Sequence, residues 1–511
     1  MIPLEWMPPL MFGGLIVFML IGFPVAFSLM AAGLFFAGIA ISENFFGFSF
    51  LQAIPQRIFG GVLANDLLLA IPFFTFMGAI LERCGLAEEM LDSMGQLFGR
   101  IRGGLGYSVI IVGFILGAIT GTVAAQVIAM TMISLPVMMR YGYNMRYATG
   151  VLAASGTITQ LVPPSLVLIV LADQLKTQSG SADVGSMYLG AWGPSLLQIG
   201  LFALYTFFLS RFRPSYLPAA PENELTLQGW ALLKKCLLGI IPSAVLIFLV
   251  LGTIMTGIAT PTESGAMGAM GALLLAWLRR AQIPNLKGLV KEAYQNTTRI
   301  TAMVVFILIG STCFSVVFQG VDGGNWVEEL FAQLPGGWVG FLIVVNLLVF
   351  FLSFFLDFFE IAFIIVPLLA PIAVKLLSPI LLDSMNGNPQ AAASAALVWF
   401  GVMLCVNMQT SFMHPPFGFA LFYLRSVAPK SVKSSDIYWG ALPWVVLQLI
   451  MVGVVIAFPA LVTTLLDKPE AIVQSQEYNF LSDEESKTDK PAGKIDEDAP
   501  VIFQLDKPVA K

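Results

Sequence analysis

Charge is scarce in this 511-residue chain, where Asp, Glu, Lys and Arg make up 11% of positions and apolar residues 57%. One soluble core could not bury that much apolar surface, so the surrounding solvent is lipid. Cysteine is scarce as well. Cys84, Cys236, Cys313 and Cys405 show no CxxC spacing and sit in or beside apolar segments, which reads as small core residues and excludes a paired-thiol centre. The chain has 1 histidine, His414. It lacks a Walker loop, a zinc-spaced cluster, a glycine-rich nucleotide loop and a recognisable nucleophile triad, so ATP-driven transport by this chain alone is not expected. No cofactor, no metal beyond a transported cation and no nucleic-acid partner are expected. The N-terminus has no basic segment ahead of its apolar run, and no cleavable signal peptide is expected.

Long uncharged runs are abundant. They extend over Trp6–Ser42, Gly103–Met139, Tyr147–Ala172, Ile300–Val321, Leu330–Leu356 and Ile437–Leu466. Each matches or exceeds the ~20 residues a helix needs to cross a bilayer. The expected fold is an all-α polytopic membrane protein with about 11–12 membrane segments plus re-entrant hairpins.

Gly103–Met139 as one helix would run about 55 Å, far beyond a ~30 Å hydrocarbon core, so it must fold back. Arg100 and Arg102 precede it and Arg140 and Arg146 follow, and basic loops stay cytoplasmic. It is a hairpin entering from the cytoplasm, with its tip expected at Ile119-Thr120-Gly121-Thr122. A second stretch, Leu330–Val374, is interrupted by Asp357 and Glu360 and preceded by Asp322, Glu328 and Glu329, which places its entry on the periplasmic side. After each hairpin comes a segment with a double proline, Val162-Pro163-Pro164-Ser165 and His414-Pro415-Pro416-Phe417, and then one more apolar segment. Two repeats of opposite orientation with paired interruptions are the pattern of alternating-access carriers, whose sites form where discontinuous helices meet.

Residues 1–57 are expected to form N-terminal scaffold helices, 58–215 the first repeat with hairpin 103–139, and 216–299 a connecting scaffold segment with the Thr-Pro-Thr-Glu break. Residues 300–466 form the second repeat with hairpin 330–374, and 467–511 a polar, acidic, disordered tail.

Candidate residues follow from the breaks, because backbone freed inside a membrane must face protein, water or ligand. Thr120, Gly121 and Thr122 offer hydroxyls and carbonyls for a small hard cation, or form a tight turn that needs small residues. Asp357 and Glu360 are intramembrane carboxylates, and so functional candidates, or are hydrated at an aqueous cavity. In Gly257-Ile258-Ala259-Thr260-Pro261-Thr262-Glu263, proline frees carbonyls beside Thr260 and Thr262; the alternative is a capped helix start. Asn65 and Asp66 are weaker candidates. His414 either couples protons or donates a hydrogen bond while neutral, with Asn407, Gln409, Thr410 and Ser411 making its surroundings polar. Pro163, Pro164, Ser165, Pro415, Pro416, Gly418 and Glu263 complete the substrate-binding or gating set.

These motifs, in this order over roughly residues 10–465, resemble the large membrane subunit (DctM-like permease) of tripartite ATP-independent periplasmic (TRAP) transporters. The similar features are Thr120-Gly121-Thr122 followed by Pro136 and Gly142-Tyr143; Val162-Pro163-Pro164-Ser165; Gly257 through Glu263; Asp357 with Pro367 and Pro371; and Pro415-Pro416-Phe417-Gly418 with Leu421-Phe422. The resemblance implies an inner-membrane, sodium-coupled importer of a small organic acid. It also implies a periplasmic binding protein that delivers the cargo, a small four-helix membrane subunit not fused here, and an elevator-like motion of an ion-transporter-type fold. Three positions depart from the family pattern: Thr122-Val123 replaces a Ser-Ser pair, His414 stands where a Thr often precedes the prolines, and Glu360 joins Asp357. His414 and the Phe-rich second half resemble the branch for mannitol, chloroaromatic and 2-oxo acid substrates. The competing readings are a single-component proton- or sodium-coupled anion carrier, and an integral-membrane enzyme built on Asp357 and Glu360.

Overall fold

The computed structural model describes residues 3–221, 229–283, 285–354, 356–415 and 418–468. The expected tail lies outside these from residue 469 onward, as does Pro416. Every named element among the described residues is helical. Among the described residues, eight helices are long and apolar enough to cross a membrane, or nine if a pair bent by 47° between Phe48–Leu63 and Asp66–Glu82 is one span. Three shorter apolar helices accompany them.

The chain opens with α1 (Met7–Leu20), α2 (Val25–Ser42) and α3 (Ala53–Ile58). The first half then runs through α4 (Ala70–Glu82), α5 (Leu86–Phe98), α6 (Gly104–Thr120), α7 (Val123–Arg140), α8 (Met145–Thr157), α9 (Leu166–Gln174) and α10 (Val184–Phe212). Helices α11 (Gly229–Met255) and α12 (Pro261–Leu278) connect the halves. The second half repeats the order as α13 (Leu286–Gly320), α14 (Gly323–Ala332), α15 (Gly337–Leu352), α16 (Phe358–Leu381), α17 (Pro389–Met408), α18 (Phe419–Val427) and α19 (Ser434–Ala457), closed by α20 (Ala460–Thr463). Each half is thus a span, a short helix, a hairpin, a broken span whose second piece has 9 residues, and a final span.

Contacts fix the relative direction of the halves. Tyr147, at the start of α8, hydrogen-bonds Thr206 near the end of α10 at 2.9 Å. Arg146 pairs with Asp436 at the start of α19 at 3.2 Å. The start of α19 therefore lies beside the end of α10, and the two corresponding helices are antiparallel. Along α17, Ser394 accepts from the Ser181 N–H just before α10, and Gln409 meets Gln198 within it, so α17 runs with α10 while α8 runs against it. The repeats are inverted. Helices α8 and α19 cross closely, so that a Cβ on Gly150 would lie 2.2 Å from the Gly440 carbonyl oxygen. Only glycine permits that approach.

Polar pairs sort to the two ends. Arg279 with Glu89, Arg83 with Glu292, and Lys235 with Asp92 tie α4, α5, α11, α12 and α13 together at the end rich in Lys and Arg, hence the cytoplasmic one. At the other end, Thr262 donates to the Asp66 carbonyl at 2.7 Å and Arg57 to Gln319 at 2.8 Å.

Three expected boundaries shift. The 57/58 boundary falls inside α3. The 299/300 boundary falls inside the 35-residue α13, because Lys287, Lys291 and Arg299 ride on a cytoplasmic extension of one continuous helix and charge alone does not end a helix. The second hairpin comprises α15 and α16, Gly337–Leu352 and Phe358–Leu381. The residues from 330 to 332 belong to α14 instead, and Lys375 continues α16 where it emerges to pair with Glu328.

Candidate functional site

The first hairpin turns in two residues. Gly121 has φ +61°, a left-handed conformation that glycine adopts without strain, and caps α6 after Thr120. Thr122 is extended and begins α7 with no side-chain capping bond. One turn on, the Gln126 amide donates to the Gly113 carbonyl at 2.6 Å and to the Ser155 carbonyl at 3.0 Å, and it receives the Thr159 hydroxyl. Gln126 therefore binds the hairpin to the end of α8. That helix then breaks at Pro163 and Pro164, joined by a cis peptide bond. The Ser165 hydroxyl accepts from the N–H groups of Val167 and Leu168, capping α9, and donates to the Gln160 carbonyl. Gly121 and Pro164 line the same small cavity, so tip and break meet.

The second hairpin follows the same plan with different chemistry. Asp357 is the N-cap of α16: its carboxylate accepts from the Glu360 N–H at 3.0 Å, and the Glu360 carboxylate accepts from the Asp357 N–H at 3.0 Å. The two carboxylates form a capping box that satisfies donors left open at the helix start. Asn407 in α17 donates to the Asn346 backbone and side-chain oxygens at 2.8 and 2.9 Å, holding α15. Thr410 and Ser411 donate to carbonyls three residues back. The Gly418 N–H donates to the His414 carbonyl at 2.6 Å, closing the turn around half-buried Pro415. The His414 ring lies stacked 4.1 Å from Phe354 and edge-on to Phe350 at 4.4 Å. Neither of its nitrogens has a hydrogen-bond partner among the described residues.

The two broken spans meet at the centre. Cys405 Sγ donates to the Gln160 carbonyl at 3.2 Å, Ser195 to the Leu161 carbonyl at 3.2 Å, and the Gln198 amide to the Gln409 oxygen at 2.7 Å. The Gln448 amide donates to Thr157 at 3.0 Å. Gln198 and Gln448 hold the same register in α10 and α19, and Thr157 and Gln409 each stand six residues before their first proline, so the two bonds are related by the repeat. Gln160, 3% exposed, has no partner for either side-chain amide atom among the described residues, and neither does the Asn407 side-chain oxygen.

Sequence reasoning missed Gln126, Thr159, Gln160, Gln198 and Asn346. A usable signal was present: Gly-Ala at 190–191 with Gln198, and Gly-Ala at 440–441 with Gln448, repeat at one spacing. The structure does not bring Thr260, Thr262 and Glu263 to the hairpins. Thr260 and Glu263 form a second capping box at the start of α12, and Thr262 is occupied with Asp66. Their helix packs on α4 and α11, at the end opposite the basic loops.

Comparison with known proteins agrees with this architecture. Residues 12–461 match the family described as the tripartite ATP-independent periplasmic transporter, DctM component. Among curated relatives, the C4-dicarboxylate TRAP transporter large permease DctM of Rhodobacter capsulatus is 26% identical over 88% of this chain and 97% of its own length. The sialic acid TRAP transporter large permease SiaM of Vibrio cholerae is 27% identical over 86% and 93%. Among solved structures, the YdaH transporter of Alcanivorax borkumensis aligns with a TM-score of 0.53 at 16% identity, covering 82% of this chain and 90% of that one, which speaks for the fold. The chain belongs to the DctM component family of tripartite ATP-independent periplasmic transporters: a permease subunit rather than an enzyme, crossing the bacterial inner membrane many times.

Proposed function

We propose that this chain imports a small organic acid down a sodium gradient, working with a small four-helix membrane subunit and with a periplasmic binding protein that delivers the cargo. The observation that carries this reading is the meeting of two inverted broken spans around a buried, uncharged polar centre. The Gln160 side-chain amide and the Asn407 side-chain oxygen lack partners there among the described residues. Orphaned amides in a low-dielectric interior are costly, so a passing ligand or water completes them. Among the described residues no group of three or more His, Cys, Asp or Glu gathers, so a coupling cation at the tips would be held by carbonyl, hydroxyl and amide oxygens near Gly121, Thr122 and Ser165, with Asp357 at the second tip. The relatives' names give C4-dicarboxylate, sialic acid and, for a protein of Oleidesulfovibrio alaskensis, isethionate as cargo, which supports an anionic substrate. Motion of the hairpin-bearing segments against α1–α4 and α11–α13 is the accompanying conformational step.

Proton coupling through His414 finds less support, since its ring is packed against Phe350 and Phe354 and neither of its nitrogens has a hydrogen-bond partner among the described residues. The test is uptake of a radiolabelled acid panel, beginning with succinate, into proteoliposomes holding this chain, its small subunit and the binding protein. Uptake should need an inward sodium gradient. Equal uptake with potassium in place of sodium would overturn the coupling.

A further inference from the structure

A second polar space lies away from the central breaks. It is a cleft of about 760 Å3 lined by Arg57, Gly60 and Gly61 and by the charged residues Asp66, Asp173 and Lys176. Arg57 hydrogen-bonds Gln319 at the end of α13, and Lys176 follows the end of α9, so the cleft opens at the end opposite the basic loops, the periplasmic one.

Its charges are unequally satisfied. Buried Asp173 accepts from Lys176 at 2.6 Å, Asn65 at 2.8 Å and Gln174 at 2.9 Å, so that pair is neutral, and exposed Asp66 is the cleft's other carboxylate. Exposed Arg57 has one hydrogen bond, 2.8 Å to the neutral Gln319 oxygen, and no carboxylate at ion-pair distance among the described residues. A guanidinium with donors to spare presents the fork that receives a carboxylate in two parallel bonds.

The glycines supply an independent observation. Gly60 and Gly61 sit in a π-helical turn, Phe59–Leu63, where glycine is unfavourable. Neither has positive φ, and a Cβ at either would meet no atom within 4 Å. Packing does not require them. Their effect is to keep the wall low, leaving the approach to Arg57 open.

We propose that this cleft is an anion-docking vestibule on the periplasmic face, in which Arg57 receives the carboxylate of an incoming acid before it reaches the central breaks. The identity of the cargo rests on the organic-acid reading above, whereas the cleft's preference for anions does not. Reactivity of a Gly61→Cys chain, in intact cells with its partner subunits, measures that preference directly. The probes are two membrane-impermeant thiol reagents of opposite charge, sulfonatoethyl and trimethylammonioethyl methanethiosulfonate. The unsubstituted chain, whose Cys84, Cys236, Cys313 and Cys405 are all buried, is the blank. The thiol should react from outside, and adding Arg57→Gln should lower the anionic-to-cationic rate ratio about fivefold, the effect of removing one charge a few ångströms away. A thiol closed to both reagents, or a ratio that moves less than twofold, overturns the vestibule; Gly60→Cys repeats the measurement if Gly61→Cys does not reach the membrane. In the proteoliposome assay, Arg57→Gln should raise KM for the transported acid about tenfold with the maximal rate kept, and an unchanged KM counts against the proposal. Should the intact assembly take up no acid, the transport reading fails, and the reagent ratio still decides the cleft.

Discussion

At the scale of the residue, the carboxylates of the second hairpin carry the clearest lesson. Asp357 and Glu360 are spaced three apart in an aromatic apolar stretch, which reads as paired intramembrane charge. In the structure the same spacing is a capping box, and Thr260 with Glu263 repeats it at the head of α12. The D-x-x-E and T-x-x-E signals were legible in the sequence as helix starts. A cap and a cation ligand make different demands. Asp357→Asn keeps an oxygen to accept the Glu360 N–H and should leave thermal stability in detergent nearly unchanged, while Asp357→Ala should cost about 1 kcal/mol. If Asp357 also holds a coupling cation, Asp357→Asn will unfold like the parent yet lose sodium-dependent uptake. Uptake equal to the parent would make the residue a cap alone.

At the scale of the element, the broken spans are held by neutral amides. Gln198 and Gln409 are fully buried and bond each other reciprocally, at 2.7 and 3.2 Å. Removing one partner leaves the other desolvated and unpaired, so Gln198→Leu or Gln409→Leu should each destabilise the protein by about 1–3 kcal/mol. The double replacement removes both penalties and should cost less than the sum of the single ones. A thermal-unfolding cycle on the four chains measures this, and simple additivity would mean the pair is not coupled. The hairpins and Pro-Pro breaks were readable beforehand because length and flanking charge constrain any uncharged run too long for one crossing. The amide pairing was not, since a lone Gln in an apolar helix carries no mark of the partner it will meet.

At the scale of the whole molecule, inversion has a measurable consequence. Helix α5 and helix α14 occupy corresponding places in the two halves, yet α5 pairs with the basic cytoplasmic end through Glu89 and Asp92, and α14 begins at the other end of α13. Lys235→Cys should therefore be labelled only after the membrane is permeabilised, and Asp322→Cys in intact cells. Labelling of both from one side would rule out the inverted arrangement. The halves also interlock, with α8 crossing α19 at Gly150 and Gly440, so the centre of one repeat is completed by the last span of the other.

By itself the sequence determined that this is a membrane protein of two inverted halves, where its helices must break, and which family it joins. Those follow from local quantities: run length, flanking charge and proline position act on each segment separately. Only the tertiary structure decided that Thr260 and Glu263 stay away from the hairpins, that the Gln160 side-chain amide is left without a partner among the described residues, and that Arg57 faces its cleft with no carboxylate there at ion-pair distance. Each is a matter of what a side chain meets across the interior, and that depends on how helices distant in the chain cross.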